Sequence, residues 1–183
     1  GCRTYRRFKQ FEIPKEELEE IVSMAAKRSC GRNAQELRFV VVTNKEKIRT
    51  LCDHVKWAAS LPSELGTPKE DEMPAAFVVI YYAGSASMIK DMDTGIAADT
   101  IAIAGYEKGY GSCILASINA KAYAEELGLG KDITMRLAIA LGKPAHTSTI
   151  VEGKAGELSY YIDEERNYYV PKLPLNEVLS FDE

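Results

Sequence analysis

Nine consecutive apolar residues, Ala75 to Ala83 (AAFVVIYYA), constrain this chain more than any other feature of it. The run has no polar alternation, so a strand built from it presents hydrophobic side chains on both faces and must be covered on both. Such a strand lies inside a sheet, with further layers above and below. Nine residues also fall far short of the roughly 20 that a helix needs to cross a bilayer, so the run is read as a buried strand and no membrane partner is expected.

The flanking segments supply the layers. From Pro14 to Lys27, Leu18, Ile21, Val22 and Ala25 recur at helical spacing, and Glu16 and Glu17 stand at the positive helix end, which predicts an amphipathic helix. Arg38 to Thr43 (RFVVVT) predicts a strand, with Asn44 as N-cap of a helix carrying Ile48, Leu51, Cys52 and Val55. Leu61 to Pro74, with its prolines and the Lys69-Glu70-Asp71-Glu72 run, predicts a solvated loop. Asp93 to Lys108 predicts a helix so rich in small residues (Gly95, Ala97, Ala98, Ala102, Ala104, Gly105) that it is expected to be buried, at a subunit interface. Ser112 to Ile118 and Met135 to Leu141 predict two more strands around a helix that stops at Gly128, followed by a hairpin-like Glu157 to Ile162 and a last helical turn. No internal repeat is present. At 183 residues and 20.3 kDa, the expectation is one α+β domain spanning residues 1 to 183.

Composition narrows the function classes. A hydrophobic fraction of 46% excludes wholesale disorder. Twenty-seven acidic against 23 basic side chains leave a formal charge of −4, so there is no global positive field to attract nucleic acid or anionic lipid. Cys2, Cys30, Cys52 and Cys113 are widely separated, with no Cys-x-x-Cys and no histidine pair at zinc spacing, and they read as reduced thiols of a cytoplasmic protein that binds no metal. The opening residues lack the apolar core of a secretory signal, and Gly1 in place of Met is read as either a trimmed terminus or an added residue, which leaves open what stands upstream.

The common catalytic signatures fail when tested. Gly109-Tyr110-Gly111 is followed by Ile114 where a dinucleotide fingerprint needs glycine, and there is no P-loop and no Gly-x-Ser-x-Gly. With His54 and His146 the only histidines, a hydrolytic triad has little support. Three segments remain. Arg3 and Arg6, read as one turn apart with Thr4 between them, can aim two charged forks and a hydroxyl at one phosphate. The polar turn Ser29-Cys30-Gly31-Arg32-Asn33-Ala34-Gln35 offers amides and backbone N–H groups to the edge of a planar heterocycle. In Gly109 to Ser117, glycines and a strand of small residues allow a flat body to lie against the backbone.

In this order and at these separations, the segments resemble the nitroreductase family of FMN-dependent oxidoreductases. Arg3-Thr4-Tyr5-Arg6-Arg7-Phe8 is similar to the family's Arg-Ser-x-Arg-x-Phe opening, and Ser29 to Gln35 to its Pro-Ser-x-x-Asn-x-Gln loop. Asp93-x-Gly95 through Gly111 is similar to its small-residue helix ending in Gly-x-Gly, and Val170-Pro171-Lys172 to its closing basic motif. The chain departs from the pattern at Ser29 (proline in the family), Cys30 (serine), Glu36 (proline) and Leu173 (often arginine).

The resemblance implies a mainly antiparallel central sheet flanked by helices, in an intertwined homodimer with two sites at the interface. It implies that Arg3, Thr4 and Arg6, with Lys172, hold the FMN phosphate. Ser29, Cys30 and Asn33 would reach the flavin from the partner subunit. Ile114, Leu115, Ala116 and Ser117 would back the isoalloxazine, with the Ala116 N–H facing its N5, and Trp57, Tyr106 or Tyr110 would line the pocket unless they belong to the core. No side chain need act chemically, because the flavin carries the reaction: NADH or NADPH reduces it, leaves, and a small nitro or quinone-like acceptor reoxidises it in a ping-pong cycle. Two rivals stay open, a flavin enzyme of the same fold acting as a dehalogenase or fragmenting flavin, and a non-catalytic flavin- or nucleotide-binding module.

Overall fold

A computed structural model describes residues 1–182. In chain order the strands and α-helices are β1 (Phe8–Lys9), α1 (Lys15–Ala26), β2 (Arg38–Val42), α2 (Lys45–Asp53), α3 (Ser63–Gly66), β3 (Ala76–Ala83), α4 (Met88–Glu107), β4 (Gly111–Leu115), α5 (Ala120–Glu126), β5 (Ile133–Pro144), β6 (Ser148–Glu152), β7 (Tyr161–Ile162) and β8 (Tyr168–Lys172). The class is α+β. β1 to β5 form one antiparallel sheet in which β5 pairs with β1, β3 and β4, and β3 lies between β2 and β5. No helix is long and apolar enough to cross a membrane among the described residues.

The doubly apolar strand dictates what surrounds it. Phe77 and Val79 point into a core completed by Ile48 and Leu51 of α2, by Trp57, and by Tyr123 of α5. Ala76, Val78 and Ile80 point the other way, against Leu18, Ile21 and Ala25 of α1 and Ala97, Ala98 and Ile101 of α4. Each fully buried aliphatic or aromatic side chain adds about 1.5–3 kcal/mol, so a strand contributing to both cores anchors the fold. The Asn44 side chain caps α2 by accepting the Lys47 N–H at 3.0 Å, and Asn119 caps α5 by accepting that of Ala122 at 3.2 Å.

Four expectations need correction. The long helix begins at Met88 rather than Asp93. The loop before β3 holds the short α3, and its charge run is a 3₁₀ turn whose Glu72 is largely enclosed rather than solvated. The C-terminal hairpin joins β7 to β8, pairing Tyr161 with Tyr169 across the 163–167 turn, while β6 runs parallel to β8 on its other side. Finally, the flat body that the Gly-x-Gly admits is Tyr5 of the same chain. A Cβ on Gly111 would lie 2.6 Å from the Tyr5 ring, and one on Gly142, its partner across the ladder, 2.8 Å from Phe8. Those glycines let the N-terminal segment seat on the sheet.

Candidate cofactor site

The N-terminal segment sets the geometry. Thr4 forms an isolated parallel bridge with Ser112, and the Tyr5 N–H donates to the Ser112 carbonyl at 2.8 Å. This stretch lies along β4 as extended chain, not as a helical turn. Arg3 and Arg6 therefore do not stack one turn apart, which corrects the geometry expected of them.

Their surroundings differ. Arg3 is half-buried, with its Nε enclosed and without a hydrogen-bond partner among the described residues. No carboxylate neutralises it among the described residues. An enclosed guanidinium donor without an acceptor is costly unless an anion completes it, so the position fits a phosphate. Arg6, by contrast, is locked into the fold. Its N–H donates to His146 Nε2 at 3.0 Å, its Nε donates to the Trp57 carbonyl at 3.2 Å, and its guanidinium carbon lies 4.6 Å and 5.0 Å from the Tyr160 and Tyr168 ring centroids.

His146 is neutral in this setting. Burial pushes its pKa down to about 4, the bond to the Thr147 carbonyl opposing and the nearby Arg7, Arg6 and Arg166 reinforcing the shift. Because Nε2 accepts from Arg6, the ring proton sits on Nδ1, 2.8 Å from the Thr147 carbonyl. His146, Tyr160, Tyr168 and the Trp57 carbonyl escaped sequence reasoning. The adjacent tyrosine pairs Tyr160-Tyr161 and Tyr168-Tyr169 were the one available signal.

Arg6 and the end of β4 meet through one short strip. The Lys56 N–H donates to the Ser117 carbonyl at 3.2 Å, the Ser117 hydroxyl donates to the Lys56 carbonyl at 2.5 Å, and Val55 bridges Ile118. Trp57, next in sequence, receives Arg6. A cavity of about 530 Å³ opens here, bounded by Lys56, Trp57, Ser117 and Asn119. Leu115 is buried, whereas Ile114, Ala116 and Ser117 are exposed. Trp57 and Tyr110 belong to the core, and Tyr106 is exposed.

The remaining residues lie elsewhere in the chain. Ser29, Cys30 and Asn33 sit in the turn between α1 and β2, where the Gly31 N–H donates to Asp93 Oδ1 at 2.9 Å and Lys90 of α4 pairs with Glu36 at 2.8 Å. Arg32, Asn33 and Gln35 have φ of 54°, 54° and 50°, a left-handed cluster that disfavours side chains by roughly 1–2 kcal/mol each and persists because α4 holds it. A Cβ at Gly31 would clash at 2.2 Å with Ile89 of α4. Lys172 ends β8, exposed, opposite Glu152. No hydrogen bond among the described residues joins either group to Arg3 or Arg6.

A two-core α+β sheet that seats a cationic N-terminal run beside its glycine-bearing strand defines the class of protein. The chain belongs to the nitroreductase family, whose model matches residues 2–143. A comparison with curated proteins gives no match. Among solved structures, a candidate nitroreductase from Desulfovibrio desulfuricans in complex with FMN is 17% identical, with a TM-score of 0.73 over 100% of this chain and 92% of that one. A nitroreductase family protein from Clostridium difficile 630 is 18% identical, with a TM-score of 0.68 over 99% and 94%. An FMN-dependent nitroreductase from Clostridium difficile R20291 is 24% identical, with a TM-score of 0.65 over 80% and 85%. At these identities the likeness concerns the fold.

Proposed function

We propose that this chain is a cytoplasmic FMN-dependent oxidoreductase that works as a homodimer and passes electrons from NADH or NADPH to a small nitro or quinone-like acceptor. The observation that carries the reading is Arg3, an enclosed cation whose Nε lacks a partner among the described residues, on the extended segment that also carries the fixed Arg6 and runs along β4. That donor set suits the dianionic phosphate of FMN. Thr4 adds a hydroxyl, and Lys172 a further cation supplied as the two chains assemble. Ile114 to Ser117 offer an apolar backing for a planar ring, with the Ala116 N–H as donor to its N5. Ser29, Cys30 and Asn33 complete the site from the partner subunit. FMN, when bound, supplies the redox chemistry by taking hydride from the nicotinamide and reducing the acceptor. The protein's own work is to neutralise, orient and partly desolvate the cofactor.

The dimer reading rests on α4. Its buried face carries Ala97, Ala98, Ile101 and Ala104, yet Met88, Met92, Ile96 and Ile103 recur on the opposite face and are exposed. α4 is thus apolar on two opposite faces, only one of which its own chain covers, so a second copy of this chain is the fitting cover for the other. Met92→Glu is expected to shift the protein from dimer to monomer in sedimentation equilibrium and to abolish FMN binding with it. A wild-type monomer that binds FMN would contradict this. For the reaction, the anaerobic FMN-loaded protein should bleach with NADH or NADPH and recover its colour with a nitroaromatic or a quinone. Failure with both nicotinamides, or with every acceptor of both classes, would defeat the proposal.

A further inference from the structure

Arg6 is held by four separate partners. Its backbone is tied to His146, its Nε to the Trp57 carbonyl, and its flat face lies over Tyr160 and Tyr168. Three of these four partners lie beyond residue 143, where the family match ends. The terminal Nη groups have no protein partner among the described residues, so the plane is fixed while the donating edge stays free. A free arginine side chain carries about 2 kcal/mol of rotamer entropy, and removing it in advance tightens whatever the edge binds. Tyr168 is fully buried and serves the core. Tyr160 is half-buried, sits on the segment before β7, and is itself pinned by the Ser60 N–H, which donates to its hydroxyl at 3.3 Å.

We propose that Tyr160 is a positioning residue: its ring fixes the plane of the Arg6 guanidinium and thereby sets how tightly the cofactor site holds an anionic group. This rests on the FMN reading above, and a double-mutant cycle on the FMN dissociation constant tests it separately. Tyr160→Leu should weaken FMN binding by about tenfold, the scale of a desolvated cation–π contact. Tyr160→Phe, which keeps the ring, should bind like wild type. In an Arg6→Ala background, Tyr160→Leu should cause no further loss. The Arg6 Nε–H resonance in ¹⁵N-arginine-labelled protein should be slow to exchange in wild type and fast in Tyr160→Leu. Unchanged affinity in Tyr160→Leu, or an equal loss with and without Arg6, overturns the positioning role. Absence of FMN binding by the wild type instead overturns the cofactor reading, and an unprotected wild-type Nε–H overturns the positioning role whatever the fold of the leucine variant.

Discussion

Replacing Arg3 and Arg6 together with alanine is expected to weaken FMN binding by two to four orders of magnitude. Each charge-assisted hydrogen bond to an anion is worth about 1.5–3 kcal/mol, and two of them add to several kcal/mol. The two single variants should separate cleanly. Arg3 has an enclosed Nε with no acceptor among the described residues, so Arg3→Ala removes affinity while leaving the thermal midpoint of the cofactor-free protein unchanged or slightly raised. Arg6 is bonded to Trp57 and lies over two tyrosine rings, so Arg6→Ala should lower that midpoint as well. Fluorescence titration with FMN and thermal melts of the apo-protein read the two effects independently. A double variant that binds FMN like wild type would remove the phosphate assignment.

The second large effect concerns Glu72. Its carboxylate lies between two guanidinium groups, 3.2 Å from Arg7 and 2.8 Å from Arg166, with side-chain exposures of 15%, 10% and 17%. Arg7 and Arg166 are further bound together, since an Arg7 Nη donates to the Arg166 carbonyl at 2.7 Å, and the triad fastens the C-terminal sheet to the N-terminal segment that carries the candidate site. Glu72→Gln leaves two enclosed cations facing each other and should destabilise the fold by about 3–5 kcal/mol. For a chain of this size that corresponds to a fall in melting temperature of about 6–20 °C. Glu19→Gln, which removes only the exposed pair with Lys15, should change stability by less than about 0.5 kcal/mol.

The same carboxylate predicts an acid dependence. Burial pushes the Glu72 carboxyl up, but the Lys69 N–H and the Arg7 and Arg166 guanidinium groups outweigh it, and the folded-state value lies below the ordinary one. Its stabilisation is therefore complete above the unfolded-state carboxylate range and is lost as pH falls through the lower folded value. Melts recorded from pH 7 down to pH 3 should show wild type losing stability faster than Glu72→Gln in the acid range. Parallel profiles for the two would contradict the role given to Glu72.

The interior of the fold was legible because burial leaves a periodic trace. The unbroken run of β3 demanded cover on both faces, and α1 with α4 on one side and α2 with α5 on the other provide it. The exposed apolar stripe of α4 was only partly visible, because Met88 and Met92 precede the expected start at Asp93 and a small-residue helix does not say which face its own chain covers. The three segments of the candidate site were visible by residue type, but their geometry was not. Arg3 and Arg6 read as a helical pair, yet the bridge of Thr4 to Ser112 holds that stretch extended. The partners of Arg6 stand 51 and 140 residues away at Trp57 and His146, and contacts of that range leave no local signature. Glu72 read as one of a solvated charge run because nothing nearby announces the two arginines that enclose it.

The central claim is that two copies of this chain bring an N-terminal arginine pair, the end of β4 and the partner's Ser29–Gln35 turn together around one FMN each. Titration of the purified apo-dimer with FMN, followed at once by flavin fluorescence quenching and by sedimentation, tests it most directly. The account predicts saturation at one FMN per chain, two per dimer, with affinity lost whenever the dimer is lost. A stable dimer that takes up no FMN, or one that binds it at undiminished affinity after Arg3 and Arg6 are removed, would contradict it.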